Sequence, residues 1–201
     1  MTAANWIVCG TVSYLIGSLP TGFLWAQARG IDIRTVGSGN IGATNVMRAL
    51  GKGPGIAVLV IDALKGFLPV FFAPRLFDGG SPLQIVCTLC VIAGHNWTCW
   101  LKFKGGKGIA TSAGALLGAI WAPFLCGLAV WIVVFALSRY VSLASIAAAV
   151  AIPVATWYLR HDQPWFITTT ILGVVAIYKH RSNIQRLMAG TENRVGAKKP
   201  A

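Results

Sequence analysis

The chain has 201 residues, 56% of them hydrophobic, with 17 Lys and Arg against 5 Asp and Glu, giving a net charge of +12. Charged residues make up 11% of the chain and the mean hydropathy is +0.69. A soluble domain carries roughly a quarter of its residues as charges, so this composition excludes a water-covered globule and implies that lipid covers most of the outside. In such a chain the basic excess suits loop anchoring, anionic lipid and anionic substrates rather than nucleic acid.

Seven apolar runs are candidates to cross a bilayer, whose hydrocarbon core takes about 20 helical residues. They cover roughly Asn5 to Gln27, Pro54 to Phe72, Pro82 to Trp97, Ile109 to Trp121, Pro123 to Leu137, Leu143 to Leu159 and Trp165 to Tyr178. The expected fold is an all-α polytopic bundle of seven transmembrane helices in one domain over residues 1–201. The fourth and fifth runs are short and meet at Ala122-Pro123, so five spans is the alternative. Met1 to Asn5 has no basic n-region, and the first run reads as a permanent span rather than a removed signal peptide.

Strict alternation places Arg29, Arg34, Arg48, Lys52, Lys102, Lys104, Lys107, Arg139 and the six tail cations on one side. Arg75 and Arg160 remain on the other, and Lys65 lies inside the second run. That asymmetry predicts a cytoplasmic C-terminus and an outside N-terminus. Trp97, Trp100, Trp121, Trp157 and Trp165 fall near run ends, as interfacial anchors do. The five cysteines, Cys9, Cys87, Cys90, Cys99 and Cys126, sit in or beside apolar runs, an odd number that argues against a disulfide framework. They read as small buried hydrophobes.

Three polar groups stand on the basic side. The first is Gly37-Ser38-Gly39-Asn40-Ile41-Gly42-Ala43-Thr44-Asn45-Val46-Met47-Arg48. Its glycines let the backbone turn sharply and approach a ligand, and successive N–H groups in such a turn form an anion-binding concavity. Ser38, Asn40, Thr44 and Asn45 add neutral donors, and Arg48 adds a fork suited to phosphate. The plain alternative is a flexible loop with a helix N-cap at Thr44 or Asn45. The second group is Phe103-Lys104-Gly105-Gly106-Lys107-Gly108, followed by Thr111 and Ser112 at the start of an apolar helix. Glycine, lysine and a helix N-terminus together have the physics of a phosphate cradle, without the spacing of a Walker A loop. The third runs from Tyr178 through His180 and Asn183 to Glu192. If the last helix continues through it, His180, Asn183 and Leu187 share a face.

At membrane depth Asp62 and Lys65 are spaced to pair, and ionisable residues there default to function. His95 is a weaker candidate, with a span-end cap as the plain alternative. A His-x-x-x-x-Asp box and a G-x-S-x-G elbow are absent from the sequence, and with five carboxylates a catalytic metal is not expected.

These groups, in this order, resemble the acyl-phosphate:glycerol-3-phosphate acyltransferase family of bacterial membranes. The resemblance rests on Gly37 to Arg48, on Gly94-His95 with Phe103 to Gly108, and on His180, Asn183, Arg186-Leu187 and Gly190-x-Glu192. Ser18 to Gly22, Asp62-x-x-Lys65-Gly66 and Ser138 to Ser142 also look like family positions, and Ile41 stands where proline is expected. The resemblance implies transfer of a fatty acyl group from acyl phosphate to glycerol 3-phosphate. The products are lysophosphatidic acid and phosphate, in the first acylation of phospholipid synthesis, with no direct use of acyl-CoA or acyl carrier protein. It implies a multi-pass enzyme of the bacterial inner membrane, working as a monomer on the cytoplasmic face, with no cofactor, no metal and no nucleic-acid partner.

The catalytic candidates are Ser38, Lys107, His180 and Asn183. The phosphate-binding candidates are Gly37, Gly39, Asn40, Gly42, Thr44, Asn45, Arg48, Gly105, Gly106, Gly108 and Ser142. The Gly37–Gly42 loop with Ser38 would hold acyl phosphate, and Arg48, Lys107, His180 and Asn183 would orient glycerol 3-phosphate. The proton acceptor is either His180 or a substrate phosphate oxygen.

Overall fold

The computed structural model describes residues 1–196. Lys198 and Lys199, two of the six tail cations, lie outside the described residues. The described residues form ten α-helices and one 3-10 turn, in two compact units, Met1–Ala119 and Ile120–Ala201.

Unit 1 opens with α1 (Ala3–Ser18) and α2 (Thr21–Gln27). The first apolar run therefore does not form one uninterrupted helix. Pro20 cannot donate an N–H and disfavours helical geometry at the residue before it; accordingly Leu19 adopts φ −56°, ψ 112°. Buried carbonyls freed by a break need partners. Ser18 O accepts from Thr98 Oγ1 at 2.5 Å and Leu19 O from Lys65 Nζ at 2.8 Å.

After the Gly-rich loop come α3 (Ala43–Leu50), α4 (Lys52–Leu76), α5 (Gly80–Asn96), a 3-10 turn at Cys99–Leu101 and α6 (Ile109–Ala119). Two helix crossings are close because glycine replaces a side chain. A Cβ on Gly66 would strike Thr111 O and one on Gly114 would strike Ala63 O, where α4 meets α6. Gly17 against Val91 O and Gly94 against Tyr14 O do the same for α1 and α5. At the loop end, Ala26, Ile33, Ile41, Val46 and Val58 form a buried cluster, with Leu101 packed against it. The two glycine-rich groups of unit 1 thus lie at one end of that unit. Ile41 puts its side chain into this cluster, 4% exposed, which accounts for an apolar residue in the turn.

Unit 2 consists of α7 (Trp121–Ser138), α8 (Val141–Arg160), α9 (Gln163–Lys179) and α10 (Arg181–Met188). Ile120, at φ −137° and ψ 62°, separates α7 from the preceding helix. Arg139 and His161 take left-handed φ values of 61° and 49° at the ends of α7 and α8. Asp162 caps α9, accepting from Trp165 N at 3.2 Å. The last helix does not continue through the third polar group: His180, at φ −94° and ψ 6°, ends α9 and begins α10. Only Asn183 and Leu187 stack a turn apart on α10.

Among the described residues, four helical stretches are long and apolar enough to cross a membrane: Ala3–Gln27, Lys52–Leu76, Trp121–Ser138 and Val141–Arg160. The α5 and α9 helices have 17 residues each, and α6 has 11. Four of the five Trp anchors remain exposed at helix ends. Trp165 is fully buried and belongs to the core of unit 2. All five cysteines are free; Cys99 and Cys126 are exposed, so the small-hydrophobe reading fails at those two.

Candidate active site

In unit 1 the Gly37–Gly42 loop is held by one residue of α3. Asn45, 2% exposed, accepts from Ser38 N at 2.9 Å. Its Nδ2 donates to Ile33 O at 3.2 Å and to Val36 O at 2.9 Å. All three bonds serve the loop, so Asn45 supports it from behind rather than capping the helix; Gly42 is the N-cap. Gly39 N–H donates to Val36 O, and Gly42 N–H donates to Asn40 Oδ1. Several N–H groups expected to face an anion are therefore spent inside the turn. Ala43 and Thr44 stand in the first turn of α3, where backbone N–H groups have no intrahelical acceptor and an anion ordinarily binds.

Gly37 and Gly39 have left-handed φ values of 60° and 69°, and a Cβ on Gly37 would collide with Asn45 Oδ1. These glycines answer first to the turn that Asn45 stabilises. Ser38, Asn40 and Thr44 are half-buried at its surface, and Arg48 is exposed on α3. Asp32 braces the preceding turn: Arg34 Nε and Nη2 donate to its carboxylate at 2.9 and 2.7 Å. The Arg34 hydrogen bonds hold Asp32 down to about 2.

The second group docks on the C-terminal end of α5. Gly106 N–H donates to His95 O at 3.0 Å and Gly105 N–H to Asn96 O at 3.3 Å, satisfying carbonyls at the end of that helix. A Cβ on Gly105 would strike His95 O, one on Gly106 the His95 ring, and one on Gly108 would lie 2.7 Å from Asn96 Oδ1. Lys107 is half-buried between two buried glycines. Behind them Asp62 Oδ1 lies 2.7 Å from Lys65 Nζ and 3.9 Å from His95 Nδ1, with all three side chains at most 6% exposed. The expected pair of Asp62 and Lys65 is present, and His95 joins it.

Unit 2 builds its polar corner around a carboxylate. Glu192, 8% exposed, accepts from Ser142 Oγ at 2.9 Å and Asn183 Nδ2 at 2.7 Å on one oxygen. Its other oxygen accepts from Arg186 Nε at 2.6 Å. Burial opposes its ionisation, but the bonds from Asn183, Arg186 and Ser142 together hold it below the usual carboxylate range. His180, 3% exposed, has Nδ1 at 2.8 Å from Ala176 O. A carbonyl only accepts, so Nδ1 carries the proton and the lone pair of the neutral ring falls on Nε2.

Ser142 and Asn183, 41 positions apart in the chain, are thus brought to one group. Sequence reasoning named Arg186 and Glu192 only as motif positions, in Arg186-Leu187 and Gly190-x-Glu192, and gave neither a role in the site. The available signal was scarcity, because a chain with 5 carboxylates places one just after a glycine in a basic tail. Among the described residues no cluster of three or more His, Cys, Asp or Glu is placed to hold a metal ion.

Residues 7–190 match the family model described as glycerol-3-phosphate acyltransferase. A glycerol-3-phosphate acyltransferase of Desulforamulus reducens is 48% identical over 188 residues, covering 93% of this chain and 94% of that protein. One from Geobacter sulfurreducens is 46% identical over 193 residues, covering 96% and 99%. The crystal structure of PlsY (YgiH), an integral membrane glycerol 3-phosphate acyltransferase, in its glycerol 3-phosphate form superposes with a TM-score of 0.90 at 38% identity, covering 95% of this chain and 96% of that one. Its lysophosphatidic acid form gives 0.87 at 37% identity, covering 95% of each chain. The chain belongs to the glycerol-3-phosphate acyltransferase family, and is an integral membrane acyltransferase of phospholipid synthesis.

Proposed function

We propose that the protein transfers a fatty acyl group from acyl phosphate to glycerol 3-phosphate. A glycerol hydroxyl attacks the acyl carbonyl, an ester C–O bond forms, and the carbonyl–phosphate C–O bond breaks. The products are lysophosphatidic acid and inorganic phosphate. The hydroxyl proton goes to His180 Nε2 or to a substrate phosphate oxygen.

The observation that carries this reading is the setting of His180. Its Nδ1 lies 2.8 Å from the Ala176 carbonyl of its own helix, which fixes the ring and leaves Nε2 of the neutral imidazole as the nitrogen that can take a proton. A donor that is already a mixed anhydride, with phosphate as leaving group, suits a single oriented imidazole, because positioning and charge stabilisation supply most of the acceleration.

The remaining roles are assigned by chemistry. Ser38 and the Gly37, Gly39, Asn40, Gly42 turn, with Thr44, receive the donor's phosphate, and Asn45 holds that turn. Arg48 and Lys107 neutralise phosphate charge, with Gly105, Gly106 and Gly108 fixing the lysine's loop. Asn183 and Ser142, set by Glu192, orient the acceptor. The whole chain acts as one membrane domain and as a monomer, in the bacterial inner membrane. It makes seven crossings, with the C-terminus and the reacting groups on the cytoplasmic side. The supporting asymmetry is 14 basic residues on that side against Arg75 and Arg160 on the other.

The test is phosphate release by purified protein in a lipid mesophase. Palmitoyl phosphate plus glycerol 3-phosphate should release phosphate and form lysophosphatidic acid in equal amounts, and Lys107→Ala should abolish both. Transfer from palmitoyl-CoA at the same rate, or no transfer by the folded protein, would overturn the reading.

A further inference from the structure

We propose that Asp62, Lys65 and His95 form one buried positioning strut for Lys107, linking the break between α1 and α2 to the loop that carries that lysine. The proposal rests on the reading above only in taking Lys107 as a phosphate-binding residue.

Three charged or titratable side chains on α4 and α5 are costly at membrane depth unless each is engaged. Their engagements lead in two directions. Toward the helix break, Lys65 Nζ donates to Leu19 O at 2.8 Å while lying 2.7 Å from Asp62 Oδ1. Beside it, Thr98, just past α5, donates to Ser18 O at 2.5 Å. Toward the loop, Asp62 Oδ1 lies 3.9 Å from His95 Nδ1. The carbonyl of His95 receives Gly106 N–H at 3.0 Å, and its ring occupies the place of a Gly106 side chain. The neighbouring Asn96 receives Gly105 N–H and fills the space beside Gly108.

Of the two neighbours of Lys107, Gly106 is therefore bonded to His95 and Gly108 packs beside Asn96, and the His95 ring stands 3.9 Å from Asp62. Gly108, at φ +78°, tolerates no side chain that would let the loop settle elsewhere. A helix break alone needs one donor for Leu19 O, and a neutral side chain would do. An ion pair with a histidine 3.9 Å from its far side packs that donor against the residue on which the loop rests. None of the three touches substrate on this account; each acts through where Lys107 stands.

A staple that only held the fold would change melting and leave substrate affinity alone. The strut predicts that His95→Gln, assayed in mesophase with palmitoyl phosphate, raises KM for glycerol 3-phosphate about tenfold while kcat stays within about twofold. Asp62→Asn/Lys65→Met removes both charges together, so no uncompensated ion is left; it should show the same KM rise. Gly106→Ala pushes on the His95 ring from the loop side and serves as an independent third displacement.

An unchanged KM in folded His95→Gln and in the double variant would overturn the strut, as would a loss confined to kcat. Loss of the native melting transition in all three variants would make the cluster a folding element alone and overturn it too. If wild-type protein showed no glycerol 3-phosphate-dependent turnover, the functional reading would fail, an outcome separate from these.

Discussion

The Ser38 turn of unit 1 and the Glu192 corner of unit 2 fix their polar residues by opposite means. The turn uses a neutral amide: Asn45 holds it with three uncharged hydrogen bonds. The corner uses charge: one carboxylate, Glu192, gathers Ser142, Asn183 and Arg186. An amide can donate and accept at once, which a turn with carbonyls and an N–H facing inward requires. A carboxylate only accepts, which suits a corner where three donors converge. The first arrangement does not titrate and the second does.

The sharpest way to break this contrast is to exchange the chemistry of unit 1. Asn45→Asp keeps an acceptor for Ser38 N–H but turns an oxygen toward Ile33 O and Val36 O, and it buries a charge among carbonyls. We expect a loss of about 3–5 kcal/mol of stability, because a buried group loses its partners and a charge is left uncompensated. Acyl transfer should be lost with it. Asn45→Ala, which leaves Ser38 N–H and two carbonyls unpaired without adding charge, should cost less. Thermal melting and turnover of the two variants side by side check the order; an Asp variant as stable as Ala would show that the turn does not depend on the amide.

This role of Asn45 also marks how far the sequence was legible. The helical class and the approximate extents of most apolar helices followed from hydrophobic run length, since a bilayer imposes that length on any spanning helix. The three polar groups were visible as clusters of Gly, Asn, Ser and Lys. What each residue does inside its cluster was not, because glycine looks the same whether it makes room for a ligand or for another part of the chain. Gly106 makes room for the His95 ring and Gly37 for the Asn45 side chain, contacts set by folding rather than by composition. The break at Leu19-Pro20 was signalled by proline in an apolar run, yet its partners Lys65 and Thr98 come from 46 and 80 positions away. Glu192 stood out as a motif position, but its role was hidden for the same reason: its donors Ser142 and Asn183 come from 50 and 9 positions away.

A second effect should be smaller and confined to unit 2. Glu192 is held below the ordinary carboxylate range in the folded protein, so its contribution is fully present above that range and is lost as pH falls through the lowered value. Glu192→Gln keeps an oxygen for one donor but loses the charge that faces Arg186. We expect it to cost about 2 kcal/mol at neutral pH, and the gap in Tm between it and wild type should close on acidification below the ordinary carboxylate pKa. A gap that stayed constant down to that pH would mean that hydrogen-bond geometry, and not charge, sustains the corner.

The smallest effect belongs to the one carboxylate beside the unit 1 loop. Asp32 sits at about 2 because Arg34 hydrogen bonds to it, so by sign its contribution too is present at neutral pH and fades only toward that value. The pair is solvent-exposed, however, with side chains 39% and 49% accessible, and exposed ion pairs are weakened by solvent and salt. Asp32→Asn keeps an oxygen for Arg34 N–H and should leave both turnover and the melting profile close to wild type from neutral pH down to about pH 4. A clear drop in turnover at neutral pH would show that charge also holds the Ser38 turn, and the division of labour between an amide-built unit 1 loop and a carboxylate-built unit 2 corner would not stand.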